Sequence, residues 1–120
     1  AYSSLQARFN HTDEPVSVAQ AYIQSHYAEP ILVTSLAALV NLSERTFKRR
    51  FKQATGLPPR SYLQKVRIDR ARRLLERSRE NVDQIALSVG YSESASFNRL
   101  FKREVGMSPG HYRSKFSRTV

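Results

Sequence analysis

Within eight residues the chain places Arg45, Lys48, Arg49 and Lys52, and fifty residues later Ala95, Asn98, Arg99 and Lys102 stand in the same order. A guanidinium donates paired hydrogen bonds to flat acceptor edges and to anions, an asparagine amide sets a donor beside an acceptor, and an ammonium acts as a point charge. These groups bind; they do not break bonds. Cysteine is absent, which excludes disulfides, thiolate metal sites and a cysteine nucleophile together. His11, His26 and His111 lack ligand spacing, so neither a metal nor a cofactor is expected. The carboxylates stand singly, no nucleophile, base and orienting group share a plausible spacing, and no enzyme is expected. Without a GxxxxGK pattern, Gly56 and Gly106 read as helix ends rather than phosphate loops.

The elements that must carry these side chains follow from periodicity. Taking about 100° per residue from Phe47, Phe51 and Ala54 stay on one face while Lys48, Lys52, Arg45 and Arg49 fall roughly opposite, at about 100° to 200°. The same wheel drawn from Phe97 keeps Phe101 and Leu100 inward and turns Asn98, Lys102, Ala95 and Arg99 outward. Phe47, Phe51, Phe97, Phe101, Tyr62 and Tyr112 are therefore expected in the core.

The recurrence is an internal repeat. Residues 36 to 62 are written again, with variation, at 85 to 112, and one residue is added in the second copy between Glu93 and Phe97. With two copies, the pattern fits two similar supersecondary units rather than a solenoid. Each copy reads as a short helix (about Val33 to Val40, then Val82 to Val89), a tight connection and a second helix (Glu44 to Thr55, then about Ala95 to Val105) closed by glycine. Ser43 is expected to cap the first outer helix and Ser94 or Ser92 the second; Asn81 caps the second short helix, and Leu32 leaves its counterpart without a cap.

Before the repeat, Pro15 opens a helix capped by Thr12 or Asp13, with Val18, Ala19, Tyr22, Ile23 and Tyr27 at helical spacing and Pro30 as its stop. Between the copies, Pro59 to Arg77 forms an amphipathic helix of about five turns, roughly 28 Å long. The expected architecture is all-α with about seven helices: a tail or interdomain linker over 1–14, a first helix-turn-helix subdomain over 15–58, a linker helix over 59–78 and a second helix-turn-helix subdomain over 79–120.

The 120 residues carry a net charge of +10, unevenly: residues 1 to 31 hold one base and three acids, and the remainder nineteen bases and seven acids. Basic character concentrated on the repeat is the footprint of a polyanion binder. No run approaches the roughly 18 apolar residues of a membrane span, so a soluble, cytoplasmic fragment of a longer protein, with no membrane partner, is expected. In a helix-turn-helix the second helix enters the DNA major groove. There arginine can bond guanine bidentately, asparagine adenine, and alanine can lie on a thymine methyl. The first unit would favour guanine and the second a mixed site. Arg60, Lys102, Arg103 and Arg113, with the amides near Pro59 and Pro109, are expected on phosphates, as is Lys52. A non-specific basic coat on nucleic acid shares this charge but predicts no preferred sequence.

The segments LAALVNLSERTFKRRFKQATGLPPRSYLQKVRIDRARRLL and VDQIALSVGYSESASFNRLFKREVGMSPGHYR resemble the DNA-binding domain of the AraC/XylS transcription regulators. The resemblance implies two helix-turn-helix units on a long helix, reading successive major-groove segments of double-stranded DNA. It implies base reading by Arg45, Lys48 and Arg49 in the first unit and by Ser94, Ala95, Asn98 and Arg99 in the second. It also implies a regulator, in the activating sense, that works with RNA polymerase and with an N-terminal sensor or oligomerisation domain missing from this chain. The stretch FNHTDEPVSVAQAYIQSHYAEPI is similar to the junction of the GlxA-like subgroup, whose preceding portion is an amidotransferase-like domain.

Overall fold

The computed structural model describes Leu5 and residues 8–118. Seven helices run through them, with no strand: α1 Glu14–His26, α2 Val33–Leu39, α3 Glu44–Thr55, α4 Pro59–Arg77, α5 Val82–Ser88, α6 Ser94–Val105 and α7 Pro109–Phe116. The chain forms two compact units, residues 1–66 and 67–120, and the division falls inside α4.

In the first unit, α2 and α3 form the helix-turn-helix, and α1 packs on α3. The connection turns at Asn41, whose φ of 59° is left-handed. Leu36, Ala37, Phe47 and Phe51 meet Val16, Ala19 and Ile23 of α1 and Tyr62, Leu63 and Val66 of α4 in one core, which Leu5 joins. Phe47 and Phe51 lie 5.6 Å apart between ring centroids, and Tyr62 meets Phe51 edge-on at 5.4 Å.

The second unit repeats the plan. Gly90 takes the place of Asn41 at φ 108°, and its missing Cβ leaves room for the Arg67 guanidinium, whose atoms would lie 2.9 Å from one. Arg67 thereby reaches the face of Tyr91, 5.3 Å from the ring centre. Phe97, Phe101 and Tyr112 reproduce the aromatic trio, at 5.7 Å and then edge-on at 5.6 Å. Ile68, Ala71 and Leu75 of α4 are buried here, as are Ile85, Ala86, Val89 and Leu100.

The helix ends follow local chemistry. Gly56 and Gly106 adopt left-handed conformations, φ 83° and 93°, and their N–H groups close onto the carbonyls of Lys52 and Lys102. Asp13 caps α1 through Val16 N–H at 3.3 Å, and Asn81 caps α5 through Gln84 N–H at 2.8 Å. Leu32 makes no side-chain cap at α2.

Three expectations change. The buried face of α1 is Val16, Ala19, Gln20 and Ile23, while Val18 is 47% exposed. Gln20 is tolerated inside because its amide is bonded at both ends, as described below. Second, α1 stops at His26, well before Pro30, with Tyr22 stacked on the His26 ring at 4.0 Å. Third, neither Ser92 nor Ser94 caps α6. Glu93, extended at φ −143° and ψ 143°, holds that position without a side-chain bond to the backbone, and Ser94 is the first helical residue.

Candidate nucleic-acid interface

Each recognition-type helix has an inner and an outer face fixed by its aromatics. In α3, Ser43 Oγ accepts the Thr46 N–H at 3.2 Å and starts the helix, and Phe47, Phe51 and Thr55 turn inward. Arg45, Lys48, Arg49 and Lys52 are thereby exposed. In α6, Phe97, Leu100 and Phe101 turn inward and leave Ala95, Asn98, Arg99, Lys102 and Arg103 exposed, with Ser94 half-buried. The two helices thus present their expected residues on the outer face, at matching positions.

Electrostatically the two faces differ. Lys48 pairs with Glu44 one turn back at 3.3 Å, both well exposed, a pairing of little energetic weight. Arg45, Arg49, Asn98 and Arg99 make no side-chain hydrogen bond or ion pair among the described residues, so their donors are available. In the second unit a groove of about 410 Å³ brings Asn98, Arg99 and Lys102 together with Ser108 and Pro109 at the start of α7, and Asp83 borders it. Two sequence expectations, an outer reading face and a helix start, meet there.

The expected phosphate residues divide. Lys52, Arg60 and Lys102 are exposed. Arg103 is exposed but paired with Glu104 at 3.3 Å. Arg113 is half-buried and already has two protein partners: its Nε donates to the Leu75 carbonyl at 3.2 Å and an Nη to that of Ser78 at 3.3 Å, which closes the C-terminal end of α4. The adjoining Tyr112 hydroxyl donates to Glu76 and accepts from Arg72, and burial together with the Glu76 bond holds its pKa above the usual 10.0.

A second group of polar residues is tied together in a way the sequence did not suggest. Arg50, on the flank of α3, forms a two-pronged pair with Asp13, both contacts at 3.0 Å. Burial works to raise the Asp13 pKa, but the hydrogen bonds from Arg50 and the Val16 amide and the Arg50 charge outweigh it and hold the carboxyl below its usual 3.8. The Asp13 N–H donates to His11 Nδ1 at 3.1 Å, so His11 carries its proton on Nε2 and gives it to Gln20 Oε1 at 2.7 Å. Gln20 Nε2 in turn donates to the Arg8 carbonyl at 3.1 Å, and Arg8 donates to the carbonyl of Thr55 at 2.6 Å. One signal could have flagged Arg50: its counterpart in the repeat is Leu100, which is only 8% exposed.

Among the described residues no cluster of three or more His, Cys, Asp or Glu could hold a metal ion, and no helix is long and apolar enough to cross a membrane.

Residues 36–115 match the helix-turn-helix domain family, and the chain belongs to the AraC/XylS family of such proteins. It is 40% identical over 107 residues to the HTH-type transcriptional activator RhaS of Klebsiella pneumoniae and 39% identical over 111 residues to that of Escherichia fergusonii, covering 89% and 92% of this chain. It spans only 38% and 40% of those relatives' lengths. Among solved structures, the C-terminal domain of AraT, a response regulator from Geobacillus stearothermophilus, superposes with a TM-score of 0.85 at 30% identity over 89% of each chain. The DNA-binding domain of AdpA, a global transcriptional factor solved with a target DNA, gives 0.82 at 36% identity over 87% of this chain and 94% of that one.

Proposed function

We propose that this chain binds double-stranded DNA in a sequence-specific manner, as the non-catalytic DNA-binding part of a bacterial-type transcription activator. The observation that carries the reading is the pair α3 and α6: two helices of the same internal repeat, each backed by the same aromatic trio and each exposing an arginine at the same outward position, Arg49 and Arg99. Each helix enters one of two successive major-groove segments. Arg45, Lys48 and Arg49 read bases in the first, with a preference for guanine; Ser94, Ala95, Asn98 and Arg99 read a mixed second segment. Lys52, Arg60, Lys102, Arg103 and Arg113 meet phosphates and set register without carrying sequence information.

The relatives' names support activation, and their greater length supports additional chain in the intact protein, which we propose to be a sensing or oligomerisation domain. We propose RNA polymerase as the activator's partner and the cytoplasm as its setting. Selection of binders from a pool of random duplexes tests the reading. The expected outcome is a consensus of two unlike segments about one helical turn apart, guanine-rich in only one. Recovery of the pool unchanged, with binding that depends only on salt, would leave a non-specific basic module instead.

A further inference from the structure

The polar contacts that begin on Arg50 return to the helix they left. From the flank of α3 they pass through Asp13, His11, Gln20 and the Arg8 carbonyl, and the Arg8 guanidinium closes on Thr55, the last residue of the same helix. Its members are substantially withdrawn from water: Gln20 is fully buried, Thr55 is 4% exposed, and the Asp13 and Arg50 side chains are 20% and 34% exposed. Gly56 contributes by what it lacks, since a Cβ there would lie 3.1 Å from the Arg8 guanidinium. Arg50 sits among the cations of α3 in sequence, but on the helix it lies on the inner flank, where this pairing holds it.

The matching position on α6 is different. Leu100 stands where Arg50 does and packs inward, so apolar contact replaces the ion pair there. The orientation of α3 about its axis depends in addition on two anchors in a segment upstream of the repeat, one near mid-helix and one at its end.

We infer that Arg8, Asp13 and Arg50 are positioning residues: residues 8–13 form a strap that sets the angle at which Arg45, Lys48 and Arg49 are presented, and so tunes base reading by the first unit alone. This rests on the base-reading role proposed above for α3.

The test uses the 120-residue chain with Arg50→Leu, which imports the second unit's residue, and Asp13→Asn, which keeps a capping oxygen but loses the charge; Arg50→Lys is the conservative comparison. In the DNA-free protein, amide hydrogen exchange should quicken in α3 and stay unchanged in α6. On duplexes carrying single-base changes, discrimination at the base pairs assigned to α3 should fall about three- to tenfold in Arg50→Leu and Asp13→Asn, the range of couplings carried by such networks, less in Arg50→Lys, and not at all at those assigned to α6. Unchanged exchange in α3 overturns the strap. So does a loss of affinity that is equal on every duplex and tracks lowered thermal stability, because that marks a structural role only. If the wild-type chain discriminates no sequence while the exchange result holds, the base-reading role fails and the strap stands as a local anchor of α3.

Discussion

The two short helices α2 and α5 differ in one informative place. Asn81 accepts the Gln84 N–H at 2.8 Å, while Leu32, in the same extended conformation (φ −98°, ψ 139°), offers no side-chain acceptor and is 65% exposed. At α2 the corresponding donor, Ser35 N–H, bends to the Leu32 carbonyl at 3.1 Å, which also receives Leu36 N–H at 3.1 Å. Leu32→Asn should move the Ser35 N–H to the new side chain and leave that carbonyl to Leu36. A cap is worth about 1 kcal/mol, and since this donor already has a partner, though one shared with Leu36, the net gain should be about 0.5 to 1 kcal/mol. Little is lost in return, because so exposed a leucine buries little apolar area. For a unit of this size the gain corresponds to a rise in melting temperature of roughly 2 to 8 °C. Calorimetry, with amide exchange to assign the transition to the first unit, measures it. Asn81→Leu is the mirror experiment and should lower the second unit by about 1 kcal/mol. Destabilisation by Leu32→Asn would refute the reasoning, since it would mean that the apolar contacts of Leu32 outweigh an unmade cap.

Arg49→Ala and Arg99→Ala should each cost about 1 to 3 kcal/mol on the selected operator and relax preference at one base pair, whereas Lys102→Ala should weaken all duplexes alike and reduce the salt slope by about 1; titrations at several salt concentrations distinguish the two patterns. Because the Asp13 carboxyl lies below its ordinary 3.8, the unfolded chain takes up that proton first as pH falls, so the Asp13 contribution is complete above 3.8 and is lost as pH drops through the lower folded value. Urea unfolding at about pH 5 and about pH 3 should therefore show a steeper acid loss for the wild type than for Asp13→Asn. Gly90→Ala should destabilise the second unit by at least about 1 to 2 kcal/mol, since a left-handed alanine would also press on Arg67, and thermal unfolding reads the loss.

The scaffold was legible because punctuation and periodicity agreed. Ser43 before Glu44, the Gly56 stop and the following Pro59 bound α3 and the start of α4, and the wheel drawn from Phe47 separated the inner from the outer face. What stayed hidden depends on partners far along the chain. Gln20 had no place in the apolar pattern of α1, and its burial depends on His11 and the Arg8 carbonyl satisfying its amide; Arg113, expected on a phosphate, also bonds the carbonyls of Leu75 and Ser78. The cap of α6 was misplaced because the extra residue in the second copy shifts the cap position to Glu93, and a rotating serine hydroxyl gives no hint of register.

The division of α4 between the units bears on how the chain is made. The first core draws on Tyr62, Leu63 and Val66, so a nascent chain cannot close it until the first turns of α4 have left the ribosome. The second core needs Tyr112 of α7, 46 residues beyond Val66. During synthesis the first core can thus close while the residues that complete the second are still being added, so the two units become foldable one after the other rather than together.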